Sequence, residues 1–284
     1  MYRALLPAVL VVTLCAARGW SAPSITAAPR APRPGEAVFL TLTPDQELAR
    51  ASCAWNGKTY EFQPLGARHE VILPVPAGLK PGTYRAKVTW EETEGTRGEQ
   101  TLTVKVPRRT FDIQRLKLSA AQEKKYEAEE TKREYQLIGQ ALDLVTPEAL
   151  WQGSFLMPIE GRITTSYGLR RYVNGHFSYR HRGMDLAAPQ GTPVKAAAEG
   201  VVALADDSFV LHGQTIILDH GHAVQTLYLH LSKIEVTPGE RVVRGQEIGR
   251  VGATGVATGP HLHYAVYVHH EAVDPTFWTR LPGR

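Results

Sequence analysis

The stretch Gly259-Pro260-His261-Leu262-His263-Tyr264-Ala265-Val266-Tyr267-Val268 decides the reading of this chain. Leu262, Tyr264, Val266 and Val268 fall on one face of it, and His261, His263, Ala265 and Tyr267 on the other. Alternation with a period of two marks a β-strand. Residues two apart on a strand share a face, with Cα atoms about 6.6 Å apart. Two imidazoles so placed reach one small volume, where one can ligate zinc at roughly 2.0–2.1 Å and the other can meet a substrate oxygen or water. A His-x-His pair alone is weak evidence, so the surrounding chain has to decide.

Working outward, ten of the eleven histidines lie between His176 and His270, about a third of the chain. In His181-Arg182-Gly183-Met184-Asp185, Gly183 and the downstream Pro189 argue against a helix. A straight strand would hold His181 and Asp185 about 13 Å apart, too far for one metal. The backbone is therefore expected to bend, with Gly183 taking the dihedral angles that a Cβ would forbid. In Thr226-Leu227-Tyr228-Leu229-His230-Leu231, alternation predicts Leu227, Leu229 and Leu231 facing a core, and Thr226, Tyr228 and His230 on the opposite face.

These pieces, with Tyr167-Gly168-Leu169-Arg170, His181 to Pro189, Val251-Gly252-Ala253-Thr254-Gly255 and Gly259 to His263, have a distinctive order. Over roughly residues 155 to 275 the chain resembles the lysostaphin-type (LytM-domain) zinc metalloendopeptidases, which are peptidoglycan hydrolases. The resemblance implies a compact antiparallel β fold (a duplicated hybrid motif) with a groove. It implies one zinc ion bound by His181, Asp185 and His263, and His230 and His261 as the catalytic pair. Three protein ligands would leave a fourth position for water. His261 is favoured as general base and His230 as its partner. The implied substrate is the peptide stems of bacterial peptidoglycan, cut at their cross-links. A D-Ala–diaminopimelate bridge is favoured over a glycine-rich one because no wall-binding repeat is visible. Arg170 and Tyr228 are candidates to line the groove. His220 and His222 flank a turn at Gly221, and His176, His212, His269 and His270 are expected at the rim or surface.

The remainder of the 284 residues divides by pattern. Residues 1–22 read as a signal peptide: Arg3, the apolar run Ala4 to Leu14, then small residues suited to cleavage after Ala17 or Ala22. Such a run is too short to span a bilayer, which needs about 20 apolar residues. Leu14 before Cys15 argues against lipidation. Residues 23–107 alternate in short strands, as in Val38 to Thr43, Tyr84 to Thr89 and Leu102 to Val106. Pro34-Gly35, Asn56-Gly57 and Pro81-Gly82 supply turns, and together these predict an immunoglobulin-like β-sandwich. Residues 108–150 form a linker. A capping box at Ser119 and Gln122 would open a solvated helix through Glu123 to Glu134, and Tyr135, Ile138, Leu142 and Val145 then recur at the spacing of a docked face. Residues 151–276 hold the histidines, and 277–284 form a tail. The whole is mainly β.

Composition excludes several functions. The formal charge is +4, and removal of Arg3 and Arg18 leaves +2, too little to argue for nucleic acid or an anionic membrane surface; no stable membrane insertion is expected. Loss of Cys15 would leave Cys53 as the single cysteine, expected to be buried and inert beside Trp55. Export without disulfides suits the periplasm or cell surface, across an inner membrane. The segments Pro193 to Gly200 and Gly239 to Gly249 look like lipoyl-carrier strands, but no lysine lies between Val201 and Leu231 to be modified. A catalytically silent LytM-type regulator that activates cell-wall amidases is the alternative, and retention of all five site residues argues against it. The sandwich shows no chemistry of its own. It is left to orient the enzyme, shield the groove or contact a cell-wall or divisome partner.

Overall fold

The computed structural model describes residues 22–117, 126 and 128–282. The signal peptide, apart from Ala22, and the capping box at Ser119 and Gln122 lie outside the described residues. Among those described, no helix is long and apolar enough to cross a membrane.

The N-terminal strands are β1 (Ser24–Ala28), β2 (Ala37–Thr43), β3 (Leu48–Trp55), β4 (Lys58–Glu61), β5 (Gln63–Leu65), β6 (Arg68–Pro74), β7 (Gly82–Glu92) and β8 (Arg97–Val106). They form two four-stranded antiparallel sheets, ordered β1-β2-β6-β5 and β4-β3-β7-β8. Val38, Leu40 and Leu42 of one sheet and Cys53, Ala86, Val88, Val104 and Val106 of the other share a single apolar core, so the predicted alternation is met. Asn56 and Gly57 take φ of 47° and 79° between paired Trp55 and Lys58, the left-handed pair that suits the twist of a two-residue hairpin. Burial pushes the Cys53 thiol up to about 12, which leaves it a protonated, unreactive apolar group.

The outer face of β2 is buried as well. Ala37 and Ile72 belong to the core of the C-terminal half, and the Phe39 ring lies 6.4 Å from that of Phe277 and 5.9 Å from that of Trp278. Arg109 also pairs with Asp274. The two halves therefore meet through packed apolar surface as well as through the linker.

The linker does more than connect. Strand β9 (Ile113–Leu116) pairs in parallel with β11 (Arg170–Val173), whose hairpin partner is β12 (His176–Arg180). Helix α1 (Glu129–Leu142) follows, with Glu129 and Glu130 placed favourably in its first turn. Two expectations are corrected here. The charged run is not uniformly solvated, since Thr131 and Glu134 are buried; and of the apolar stripe only Ile138 and Leu142 are buried, while Tyr135 and Val145 remain exposed.

The C-terminal sheet runs β10 (Arg162–Thr165), β13 (Met184–Ala187), β20 (His261–Val268), β17 (Val224–Ile234), β16 (Gln214–Asp219), β15 (Gly200–Asp206), β18 (Arg241–Val242). Strands β14 (Pro193–Lys195) and β19 (Glu247–Val251) pair with each other, β19 also joins β17, and β21 (Glu271–Val273) joins β20. Met184, Leu186, Leu262, Tyr264, Val266 and Val268 face the large core on one side, which Trp278 of the short helix α2 (Pro275–Trp278) helps to fill. The opposite side is only partly covered. Ala265, Tyr267, Leu227 and Leu229 pack against Ile138, Ala141 and Leu142 of α1. On β20 that same face continues beyond Ala265 to His263 and His261.

Leu40 is fully buried between the two N-terminal sheets. Leu40→Ala is expected to destabilise the chain by about 2–5 kcal/mol, read as a lower midpoint in urea unfolding of the purified protein.

Candidate metal centre

Strand pairing places the first two donors. Asp185 on β13 is paired with His263 on β20, and directly opposed residues of an antiparallel pair point to the same face. The Asp185 Oδ1 to His263 Nδ1 distance is 2.8 Å. His181 precedes β13, and its backbone is tied back by a hydrogen bond from His181 N–H to the Leu169 carbonyl. Its Nε2 lies 3.1 Å from Asp185 Oδ1 and 3.1 Å from His263 Nδ1. The three predicted ligands thus form one triangle, and they are the group among the described residues whose donor atoms converge in this way.

Gly183 permits the convergence for a reason other than the one expected. Its φ is not in the left-handed region. Instead, a Cβ there would lie 2.4 Å from the Tyr264 carbonyl and 2.8 Å from His263 Nε2. The requirement is close approach of β13 to β20, not dihedral freedom.

Hydrogen bonds fix which imidazole nitrogens remain free. His181 Nδ1 lies 3.0 Å from the Ser166 carbonyl. A carbonyl only accepts, so Nδ1 carries the proton and Nε2 presents its lone pair to the triangle, the arrangement a ligating histidine needs. Burial would raise the Asp185 pKa, but the imidazoles of His181 and His263 beside it outweigh burial and hold the carboxyl well below its usual range. Burial pushes His263 down to about 4, with His181 adding to the shift and the Asp185 hydrogen bond opposing it. At neutral pH Asp185 is therefore a carboxylate and His263 a neutral imidazole. Electron pairs so close together repel unless a proton or cation lies between them. Their separations approach the roughly 3.3 Å expected of donors around a small tetrahedral cation. The donor set fits a divalent metal.

The other two histidines stand beside the triangle. The His230 ring centroid is 4.8 Å from that of His261 and 6.4 Å from that of His263. Simple alternation on β17 would have put His230 on the face of Tyr228, and the structure corrects this. β17 advances from Tyr228 to Leu231 while its partner β16 advances only from Ile216 to Gln214, so one extra residue is inserted. His230 takes φ of 63° at this bulge, which turns its side chain onto the face of Leu229 and His263. Tyr228 and Leu231 then both enter the large core. A bulge that re-aims a side chain beside a site is a recurrent device. Its neighbours fit closely: a Cβ on Gly252 would come within 2.8 Å of the His230 carbonyl.

His230 Nδ1 lies 2.9 Å from the Thr254 carbonyl, and His261 Nδ1 lies 2.8 Å from the Gly259 carbonyl. By the same logic both rings carry their proton on Nδ1 and keep Nε2 as an acceptor. Burial, reinforced by His263 and His261, pushes His230 down to about 3, so it is neutral at physiological pH.

The remaining candidates sort themselves by contact. Tyr228 is fully buried, its hydroxyl accepting from the Ala197 N–H at 3.0 Å and from Thr226 at 3.1 Å, so it does not line a groove. Arg170 donates to the Tyr172 hydroxyl on the β11–β12 hairpin. His220 is held inside by Thr226 and the Glu199 carbonyl, and His222 by Glu70 of the sandwich. His212 is not a rim residue, because it is bound to Glu134. His269 lies against Tyr60, and His270 pairs with Asp143. His176 is exposed on its hairpin.

Arg171 was not singled out by sequence. It reaches Asp185 Oδ2 at 3.4 Å while binding Gln114 of the linker at 2.9 Å and the Tyr179 hydroxyl at 3.0 Å. Only its place beside Arg170 in the Tyr-Gly-Leu-Arg stretch hinted at it.

The C-terminal half is similar to known proteins. Residues 179–275 match the description "Peptidase family M23". DD-carboxypeptidase/endopeptidase Mpg of Neisseria meningitidis is 43% identical over 115 residues, 40% of this chain and 26% of that protein. Peptidoglycan DD-endopeptidase ShyA of Vibrio cholerae is 46% identical over 94 residues, 33% of this chain and 22% of that protein. The chain thus spans about a quarter of the length of these curated relatives. Among solved structures, a putative peptidase M23 from Pseudomonas aeruginosa superposes with a TM-score of 0.64 at 26% identity, covering 89% of this chain and 95% of that one. The catalytic domain of lysostaphin from Staphylococcus simulans is 34% identical over 41% of this chain and 90% of that one, with a TM-score of 0.36. Residues 179–275 thus form a peptidase family M23 domain.

Gly183→Ala is expected to push β13 off β20 and to open the donor triangle. Affinity for a divalent ion should fall by at least about ten-fold, as loss of donor geometry does, read by competition with a chromogenic chelator.

Proposed function

We propose that the chain is a zinc metalloendopeptidase that hydrolyses the peptide cross-links of bacterial peptidoglycan. The reading is carried by one observation. A buried His–Asp–His triangle sits beside two histidines whose Nε2 atoms are both left as acceptors. A single ligand cluster would also suit a structural metal, but two further imidazoles held in one tautomer suit proton transfer.

In this reading His181, Asp185 and His263 hold the ion, with Ser166 fixing the tautomer of His181. Zinc bound there supplies Lewis acidity and a lowered pKa for the attacking water. The remaining work belongs to this chain's own side chains. His261 Nε2 takes the proton of the attacking water and returns it to the leaving amine. His230, neutral and with Nε2 likewise an acceptor, partners His261 in taking the proton of the attacking water. Arg171 holds Asp185 from the side away from the histidines, through the second carboxylate oxygen.

Similarity to peptidoglycan DD-endopeptidases supports this substrate and a working place outside the cytoplasm. A D-Ala–diaminopimelate bridge is the bond proposed to be cut.

His263→Ala is expected to abolish both zinc retention and cleavage of purified wall sacculi while the protein stays folded. Zinc content by mass spectrometry and the new peptide termini in the digest report the two effects. Undiminished cleavage would remove the hydrolase reading. His230→Ala is expected to retain the metal but to lose roughly 10²–10⁴-fold in turnover. Loss of metal in that variant would instead place His230 among the ligands.

A further inference from the structure

Glu134 lies in the linker helix, outside the segment matched to the family, and is only 2% exposed. Its carboxylate is filled by donors from a single loop between β15 and β16. It accepts from the backbone N–H of Val210, from that of Leu211 at 3.0 Å and from that of His212 at 3.1 Å. His212 Nδ1 adds a fourth donor at 2.7 Å. Successive N–H groups converging on one anion form a rigid nest. Burial alone would raise the Glu134 pKa, but these hydrogen bonds outweigh it and keep the group ionised.

The loop so held is one that holds His230. The His212 carbonyl accepts from the His230 N–H at 3.1 Å, and the Leu211 carbonyl accepts from the Val256 N–H at 2.8 Å. The second bond ties the loop to the segment whose Thr254 carbonyl receives His230 Nδ1. Both the backbone and the ring of His230 are therefore fixed by structure that Glu134 clamps. A left-handed non-glycine residue persists only where its surroundings over-determine it.

We propose that Glu134 is a positioning residue for the reaction, delivered to the site by the linker helix and acting through His230. The kinetic part of this proposal rests on the hydrolase reading above. Helix docking by itself is not the role: Ile138, Ala141 and Leu142 already pack the helix onto the sheet, and an apolar contact needs no carboxylate aimed at three N–H groups.

The test compares the full, zinc-loaded chain with Glu134→Gln, and with Glu130→Gln on the exposed side of the same helix as control. Glutamine keeps one acceptor oxygen but turns an N–H₂ towards donors. Three quantities are read: zinc stoichiometry, kcat and KM on purified cross-linked muropeptides, and the imidazole resonances of His230 in ¹⁵N-labelled protein. Glu134→Gln is expected to retain zinc and to leave KM nearly unchanged. Its kcat should fall by about 10- to 100-fold, as for a small misplacement of a catalytic group, with the His230 resonances displaced. Glu130→Gln should match the parent in all three. A folded, zinc-replete Glu134→Gln with parental kcat and unmoved His230 resonances would overturn the proposal. Should Glu134→Gln fail to fold, His212→Ala removes one donor and leaves the helix intact. It is expected to move the same resonances, and their failure to move overturns the proposal equally. The resonances need no substrate, so a parent chain that cleaves nothing sinks the hydrolase reading without deciding this one.

Discussion

Three electron-rich side chains brought within hydrogen-bonding distance of one another, in a partly buried place, are the constraint that the rest of the C-terminal half serves. Asp185 is held ionised by the two imidazoles that face it, and burial keeps His263 neutral. The arrangement is tense without a cation. The scaffold resists that tension by hydrogen bonding from behind. Ser166 holds His181, Arg171 holds the second oxygen of Asp185, and the β13–β20 pairing fixes Asp185 opposite His263.

The two faces of the C-terminal sheet divide the work. One is dry, filled with aliphatic and aromatic side chains, and sets the stability of the domain. The other is covered at one end by helix α1 and carries the histidines at the other. Strand β17 crosses both roles, and the residue inserted at His230 is what lets it do so. With strict alternation, either His230 would point into the core or Leu231 would point out of it. One bulge gives the core its leucine and the site its histidine.

The linker is a structural part of the site. Its strand β9 extends the sheet of the hairpin that carries Arg171, Gln114 bonds to that arginine, and Glu134 binds the loop beneath His230. The family match begins only at residue 179. Several contacts that hold the site's side chains thus come from residues outside that matched segment.

Much of this was legible in the sequence. The alternation in His261 to Val268, the strands and hairpin of the sandwich and the buried Cys53 follow from local pattern, because pleat and turn chemistry act between near neighbours; the three clustered donors were implied by the resemblance to a family, not by pattern alone. The face of His230, the burial of Tyr228, the reason for Gly183 and the engagement of Glu134 and Arg171 did not follow. A bulge is defined by the partner strand's count of residues, a close approach by the backbone opposite, and a clamp by a loop some 76 residues away in sequence. Sequence by itself determined which residues could do the chemistry and which segments would be strands. Tertiary structure alone decided which way the side chains face and what holds them, because those depend on contacts between segments that local pattern does not record.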